Sequence, residues 1–205
     1  FLQKNYQNEY NEYLKHMHYN LSNEFSNNSE ATSSTITIII IFDGDTERLQ
    51  LTIDSLQKQH YTNWNAVILP INSQSSTDIF KISDYPNIHK SSFSDDNKKL
   101  IESIINSQSN LFCILNAGDL LDNFALSKSA SHLNHDDSDI VYSDHDIIKN
   151  NQRTYPFFKP DWSPYMFRLM NFLSPFCLIK SNIFNQISLE TKSLKCFQYD
   201  ILLKC

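Results

Sequence analysis

The chain has 205 residues, of which 40% are hydrophobic and 20% charged, and its formal net charge is −6 at neutral pH. That is enough apolar chain for one globular domain with a sizeable core. An acidic chain without a Lys/Arg run lacks the electrostatic footprint that a phosphate backbone requires, so no nucleic-acid partner is expected.

From Phe1 to Ser34 the sequence is polar and rich in Asn and Ser. Tyr6, Tyr10, Tyr13, Leu14, Met17 and Leu21 are spaced to share one face of a helix, and that face needs a cover. Ser22 to Ser34 has almost no apolar content and reads as a linker, so residues 1–34 form a helical lead-in and residues 35–205 the main domain. Beyond the linker, strand-like runs at Ile36 to Phe42, Asn65 to Leu69, Leu111 to Leu115 and Asp139 to Ser143 alternate with helical patterns. The helical patterns cover Arg48 to Gln59, Lys98 to Ser107 and Asn123 to Leu133. Such alternation predicts an α/β fold with a mostly parallel sheet between helices, and the unbroken apolarity of Ile36 to Ile41 predicts a central strand buried on both faces. Ligands of such sheets bind at the carboxyl ends of the strands, where Asn116 to Asp119 and Asp144 to Asp146 fall.

Cys113, Cys177, Cys196 and Cys205 have no C-x-x-C spacing, and they read as reduced structural residues. The longest apolar run, Ile36 to Phe42, is far short of the roughly 20 residues of a membrane span, and the N-terminus lacks a signal peptide's order of charge then apolarity. A cytoplasmic location is the resulting expectation. The chain opens on Phe1 and stops at Cys205 within a helical pattern, as a piece of a longer protein would. With Gly44 and Gly118 as its only glycines it holds neither a dinucleotide-binding glycine loop nor a P-loop, which excludes dehydrogenases and P-loop kinases.

The most specific stretch is Asp139-Ile-Val-Tyr-Ser-Asp-His-Asp146, followed by Arg153-Thr-Tyr-Pro-Phe-Phe-Lys-Pro-Asp-Trp-Ser-Pro164 and the Asn171-led run Phe176-Cys-Leu-Ile179. Upstream lie Leu51-Thr-Ile-Asp-Ser-Leu-Gln-Lys-Gln-His-Tyr-Thr-Asn-Trp64 and Leu115-Asn-Ala-Gly-Asp-Leu-Leu121. Together these resemble the family-2 glycosyltransferases that build bacterial surface polysaccharides, with their Y-S-D-E-D, F-K-P-D-W-S-P, S-L-x-x-Q-T-Y-x-N-W-E and L-D-x-D-D-x-L motifs. The likeness runs from Thr35 to the end, and Tyr10-Asn-Glu-Tyr-Leu14 is similar to a Y-x-x-W pattern the family carries before its first strand. It implies a GT-A, Rossmann-like three-layer α/β sandwich, cut off before its last elements. It also implies transfer of a sugar from a nucleotide-sugar, a UDP-sugar above all, to a glycan or lipid-linked acceptor. The place implied is the cytoplasm, at the inner face of the membrane, with a neighbouring transferase domain in a longer chain.

The family holds Mn²⁺ or Mg²⁺ with a D-x-D motif, because the departing diphosphate concentrates negative charge. The matching positions are Asn116, Ala117 and Gly118, followed by Asp119, so Asn116 and Asp119 are the implied metal ligands, and N-x-G-D versions of this loop occur in the family. Leu69-Pro-Ile-Asn-Ser73 stands where the family writes V-D-D-G-S, and Phe42-Asp-Gly-Asp45 replaces P-x-Y-N, leaving Asp43 or Asp45 to contact a nucleotide. The general base of an inverting transferase is the first Asp of Q-D-Y-D-L-L-L-R. The register over Phe197 to Lys204 puts Gln198 there, and Asp200 takes the role only if the helix shifts. Asp144 and Asp146 are the implied sugar or acceptor contacts, and in the F-K-P-D-W block the resemblance implies that Trp162 stacks on a sugar and Lys159 meets a phosphate.

Each of these positions also has a plain reading. Asp119 suits the start of the following helix as a cap, and Asp144 to Asp146 suit a solvated turn. Trp162 suits the packing of an irregular loop. His132 and His135 are read as a polar helix end rather than a metal site. Substitution of the nucleotide loop, the D-x-D and the base together sets a second function beside transfer, that of an inactive GT-A-fold binding or scaffolding module.

Overall fold

The computed structural model describes residues 2–27, 34–72, 85–91, 109–186 and 194–204. The helix expected over Lys98 to Ser107 lies outside the described residues, as does Cys205. In chain order the elements are α1 (Leu2–Asn27), β1 (Ile36–Phe42), α2 (Thr46–Gln57), β2 (Trp64–Pro70), β3 (Ile88–Lys90), β4 (Leu111–Asn116) and α3 (Ala125–His135). There follow β5 (Ile140–Tyr142), β6 (His145–Lys149), β7 (Gln152–Phe157), α4 (Pro164–Leu169), β8 (Cys177–Lys180), a 3₁₀ turn (Ser181–Gln186) and α5 (Leu194–Lys204). The chain divides into two compact units, Phe1–Thr32 with Asp144–Pro160, and Ser33–Ser143 with Asp161–Cys205.

The larger unit is built on a six-stranded sheet of order β3-β2-β1-β4-β8-β5. β1 pairs in parallel with β2 and β4, and β2 in parallel with β3. β8 runs antiparallel to both β4 and β5, so five strands point one way and β8 alone opposes them. Every residue of β1 is buried, as its unbroken run of Ile predicts. Ile36, Ile38, Ile40 and Phe42 of β1 join Leu49, Ile53 and Leu56 of α2 and Leu126, Ala130 and Leu133 of α3 in one core on one sheet face. Ile39, Ile41, Leu69, Phe112 and Ile114, which alternate with core residues along their strands, are buried as well.

α2 begins where Asp45, in extended conformation, accepts a hydrogen bond from the amide of Arg48. This satisfies one of the amides that a first helical turn leaves without a partner. The apolar spacing Leu49, Ile53, Leu56 then turns one stripe onto the sheet.

In the smaller unit α1 meets the β6–β7 hairpin and the residue after it through Gln7, Tyr10 and Tyr13. The turn is Asn150-Asn151, both residues left-handed (φ 50° and 61°), and Lys149 pairs with Gln152 across it. A two-residue turn of this hand matches the twist of the strands, and Asn tolerates it better than other side chains that carry a Cβ. His145 pairs with Phe157 but Ile147 with Thr154, so β7 carries one extra residue there, and Tyr155 (φ 52°) adopts the left-handed conformation of such a bulge.

Of the predicted apolar face of α1, Tyr10 is buried, while Tyr6 and Tyr13 stay exposed. Tyr13 meets Phe158 edge-on at 5.6 Å, Gln7 Nε2 donates to the Arg153 carbonyl at 2.8 Å, and Tyr10 Oη donates to Asp146 Oδ2 at 2.5 Å. Arg153 Nε donates to the same oxygen at 2.6 Å. The expected linker boundary is corrected in part, because α1 continues through Ser22 to Asn27 with Phe25 half-buried. Backbone hydrogen bonds carry a helix past the point where its apolar periodicity thins.

Burial, reinforced by the hydrogen bond to Asp146, pushes the Tyr10 phenol above its ordinary value of 10.0. An acid whose folded-state value is raised keeps its proton after the unfolded chain has lost it. Its stabilisation is therefore complete below about pH 10 and declines above it. Tyr10→Phe is expected to cost about 2 kcal/mol at neutral pH, the worth of a hydrogen bond to a charged partner. The difference in thermal midpoint between wild type and Tyr10→Phe should shrink as pH rises past about 10, and a difference that stays constant would remove the phenol proton from this interaction.

Candidate functional site

The strand order reverses between β1 and β4, with β2 and β3 on one side of β1 and β4, β8 and β5 on the other. Such a switch point opens a crevice beyond the carboxyl ends of the strands. The register places Ile41 beside Asn116 and Phe42 beside Pro70. Ala117 N donates to the Ile41 carbonyl and Ile71 N to the Phe42 carbonyl, both at 2.9 Å. Three loops therefore leave the sheet side by side, beginning at Asp43, Ile71 and Ala117.

The Asn116–Asp119 loop is a tight turn. Asp119 N donates to the Asn116 carbonyl at 2.9 Å, and Asp119 Oδ2 accepts from Asn116 N at 2.7 Å and from Asn116 Nδ2 at 3.2 Å. Gly118 takes φ +104°, a conformation side chains disfavour, and a Cβ built on it would stand 2.6 Å from Nε of Arg48. Arg48 Nη1 in turn donates to Asp43 Oδ2 at 3.2 Å, while Asp43 Oδ1 accepts from Asp45 N at 3.2 Å. Asp43, Arg48, Asn116 and Asp119 thus form one cluster across the switch point. Asp119 is not the cap of the next helix, since α3 starts six residues later at Ala125 after Phe124. Its carboxylate closes its own turn.

What holds this loop in place is a buried polar row on α2. Thr52 Oγ1 accepts from Gly118 N at 2.8 Å, and Ser55 Oγ accepts from Leu121 N at 3.2 Å. Gln59 Nε2 donates to the Asp122 carbonyl at 2.7 Å while its Oε1 accepts from Leu126 N at 3.2 Å. Thr52, Ser55 and Gln59 are all buried, and their spacing of three and four puts them on one edge of the helix and its continuation.

Gln198, at the position expected for the base, is tied into a network at the same edge of the sheet. Tyr142 pairs with Cys177, so the stretch leading into β8 lies at the carboxyl end of β5. Gln198 Nε2 donates to the Pro175 carbonyl at 3.2 Å, and its Oε1 accepts from Ser174 Oγ at 3.3 Å. Ser174 Oγ accepts in turn from Asn171 Nδ2 at 2.7 Å. Asp200 is ion-paired with Lys204 at 3.2 Å along α5, so Gln198 and Asp200 serve different neighbours, as residues two apart on a helix must. Trp162 packs against Phe167 and Phe172, at 5.4 and 6.3 Å between ring centres, and is still 55% exposed. In the smaller unit, Asp144 Oδ1 accepts from Lys159 N at 2.7 Å. Asp146, with a side chain 10% exposed, is the shared acceptor of Tyr10 and Arg153.

A divalent cation with oxygen ligands needs several carboxylate or carbonyl donors converging on one point. Here Asn116 and Asp119 supply one carboxylate, one of whose oxygens already accepts two N–H groups, and the Arg48 guanidinium borders the same turn. Among the described residues no group of three His, Cys, Asp or Glu side chains is placed to hold a metal ion. Among the described residues, the donors at this turn do not fit Mn²⁺ or Mg²⁺. Reading the sequence overlooked Arg48, although its spacing of five from Asp43 and its place in the first turn of α2 were visible signals. It also overlooked that the Ser and Gln of S-L-x-x-Q hold the loop after β4.

No protein-family model and no curated protein matches the chain. Among solved structures it is similar to S. aureus TarS 1–349, with a TM-score of 0.61 and 19% identity over 83% of this chain and 56% of that one. It is similar to the same TarS fragment in complex with UDP-GlcNAc, with a TM-score of 0.62 and 15% identity over 83% of this chain and 53% of that one. A third is the mannosyltransferase PcManGT from Pyrobaculum calidifontis in complex with GDP-Man and Mn²⁺, with a TM-score of 0.54 and 11% identity over 79% of this chain and 49% of that one. The chain spans about half the length of these structures. Its fold is the mixed α/β GT-A fold with a mostly parallel six-stranded sheet, as expected from the sequence.

Thr52→Val keeps shape but removes the acceptor for the Gly118 amide, and should cost about 1–3 kcal/mol, the penalty for an unsatisfied buried donor. Gly118→Ala should cost at least about 1 kcal/mol through its positive φ, plus the displacement of Arg48. Both are read from the midpoint of urea unfolding. A neutral result for Thr52→Val would show that α2 does not hold the loop.

Proposed function

We propose that the chain is the nucleotide-sugar-binding GT-A domain of a glycosyltransferase, moving a sugar from a UDP-sugar to a glycan or lipid-linked acceptor in polysaccharide assembly. The observation that carries this reading is the convergence of Asp43, Asn116 and Asp119 at the switch point of a GT-A sheet. The likeness to structures with UDP-GlcNAc and GDP-Man bound supports it. In this reading Asp43 meets the nucleotide and the Asn116–Asp119 turn borders its diphosphate. The half-exposed face of Trp162, held at its back by Phe167 and Phe172, stacks on a sugar of the acceptor. The domain acts on the cytoplasmic side, peripheral to the membrane and beside a further transferase domain. Among the described residues no helix is long and apolar enough to cross a membrane.

Transfer with inversion requires that the acceptor hydroxyl attack the anomeric carbon as the nucleoside diphosphate departs, with a base taking the hydroxyl proton. Gln198 accepts no proton near neutral pH, and its amide is committed to Pro175 and Ser174. This favours a second reading in which the domain binds a nucleotide-sugar without turnover. Asp200 carries the base role only where α5 lets go of the Asp200–Lys204 pair.

A nucleotide present at about 100 times its Kd should add about 2.7 kcal/mol, raising the thermal midpoint by roughly 5–10 °C. UDP, UDP-GlcNAc and GDP-Man are the probes, and no shift with any of them would sink both readings. Release of UDP from UDP-sugars then separates the two. Release by the wild-type chain supports transfer, whereas binding without release, restored by Gln198→Glu, supports the binding module.

A further inference from the structure

We infer that the switch-point site recognises the diphosphate of its nucleotide through the guanidinium of Arg48 and without a divalent cation. The inference rests on the nucleotide-sugar reading above and concerns what neutralises the ligand's charge. A diphosphate brought to a strand edge requires positive charge there. The donor set at Asn116 and Asp119 does not supply it through a metal, for the reasons of geometry already given.

Arg48 supplies it directly. Its side chain lies against Gly118, so close that any Cβ at that position would contact Nε at 2.6 Å and Nη2 at 2.9 Å. Glycine lets the guanidinium lie against the Asn116–Asp119 turn without shifting, and the turn takes the positive φ that glycine permits. Asp43 engages Nη1, which orients the guanidinium plane while leaving its charge half-exposed, with 49% of the side chain accessible. A guanidinium has five N–H donors in a rigid fork that matches two phosphate oxygens at once.

The carboxylates around it do not oppose this as strongly as their number suggests. Asp43 accepts from Asp45 N and Arg48, Asp45 accepts from Arg48 N, and Asp119 accepts twice from Asn116. Each has a carboxylate oxygen turned onto a protein donor of the cluster. Arg48 is therefore both the strut of the turn and the cation presented at it.

The test is isothermal titration of UDP and of uridine into the chain, with chelator and with Mn²⁺, for wild type, Arg48→Gln and Arg48→Lys. The expected result is UDP binding that is equal within about twofold in chelator and in Mn²⁺. Arg48→Gln should weaken UDP at least about tenfold, the lower range for losing a charged hydrogen bond, and leave uridine unchanged. Arg48→Lys, which keeps the charge without the fork, should fall between. Unliganded thermal midpoints establish that each variant is folded, and the Lys variant carries the comparison if the Gln variant is not. UDP binding that needs Mn²⁺ and ignores Arg48 overturns the inference and leaves the nucleotide site standing. Equal loss of UDP and uridine in Arg48→Gln also overturns it, by making Arg48 a support of the loop only. Absence of binding by the wild type under every condition overturns the nucleotide-sugar reading together with the inference.

Discussion

The hydrogen bonds from one edge of α2 to the loop after β4 are the constraint on which the site depends. Thr52, Ser55 and Gln59 are polar residues buried on a helix whose neighbouring stripe is apolar core. Each finds its partner in backbone groups between Gly118 and Leu126, of which the bonds to the Leu121 and Leu126 amides are buried. Leaving such groups unpaired costs more than making the bonds gains, so the helix and the loop specify each other. Because α2 also carries Asp45 at its start and Arg48 in its first turn, the same docking brings Asp43 and Arg48 to the Asn116–Asp119 turn.

Several carboxylates of this chain act as internal acceptors. Asp45 caps a helix, Asp119 closes a turn, Asp144 receives the Lys159 amide and Asp146 is shared by Tyr10 and Arg153. A carboxylate with its lone pairs directed at fixed N–H or O–H groups is a poorer metal ligand than a bare one, because coordination must first break those bonds. For the nucleotide site proposed above, this gives a physical reason to rely on a guanidinium, whose charge is permanent.

The smaller unit resolves what α1 is for. Tyr10 cannot be buried by a lone helix, and the segment around the β6–β7 hairpin, distant in sequence, supplies Asp146 to Tyr10, the Arg153 carbonyl to Gln7 and Phe158 to Tyr13. The bulge at Tyr155 and the Asn150-Asn151 turn set the register that brings these residues to the helix.

Much of the fold was legible in local pattern. Strand β1 was found to the residue by its run of Ile, and α2 and β4 by period and apolarity, since burial on both sheet faces demands an unbroken apolar strand whatever its partners. The hairpin was missed although Asn150-Asn151 marked it, because the motif likeness around it drew the reading to Asp144 and Asp146 as ligand contacts. The composition of the site was legible too, down to the absence of a second carboxylate at Asn116 to Asp119. Only the tertiary structure decided how those residues are used: that Arg48 stands over Gly118, that Ser55 and Gln59 hold a loop, and that Gln198 is bound to Pro175. Local periodicity follows from the backbone's own geometry and is written in neighbouring residues. A hydrogen-bond partner some sixty positions away depends on strand order and loop closure, which no local pattern carries.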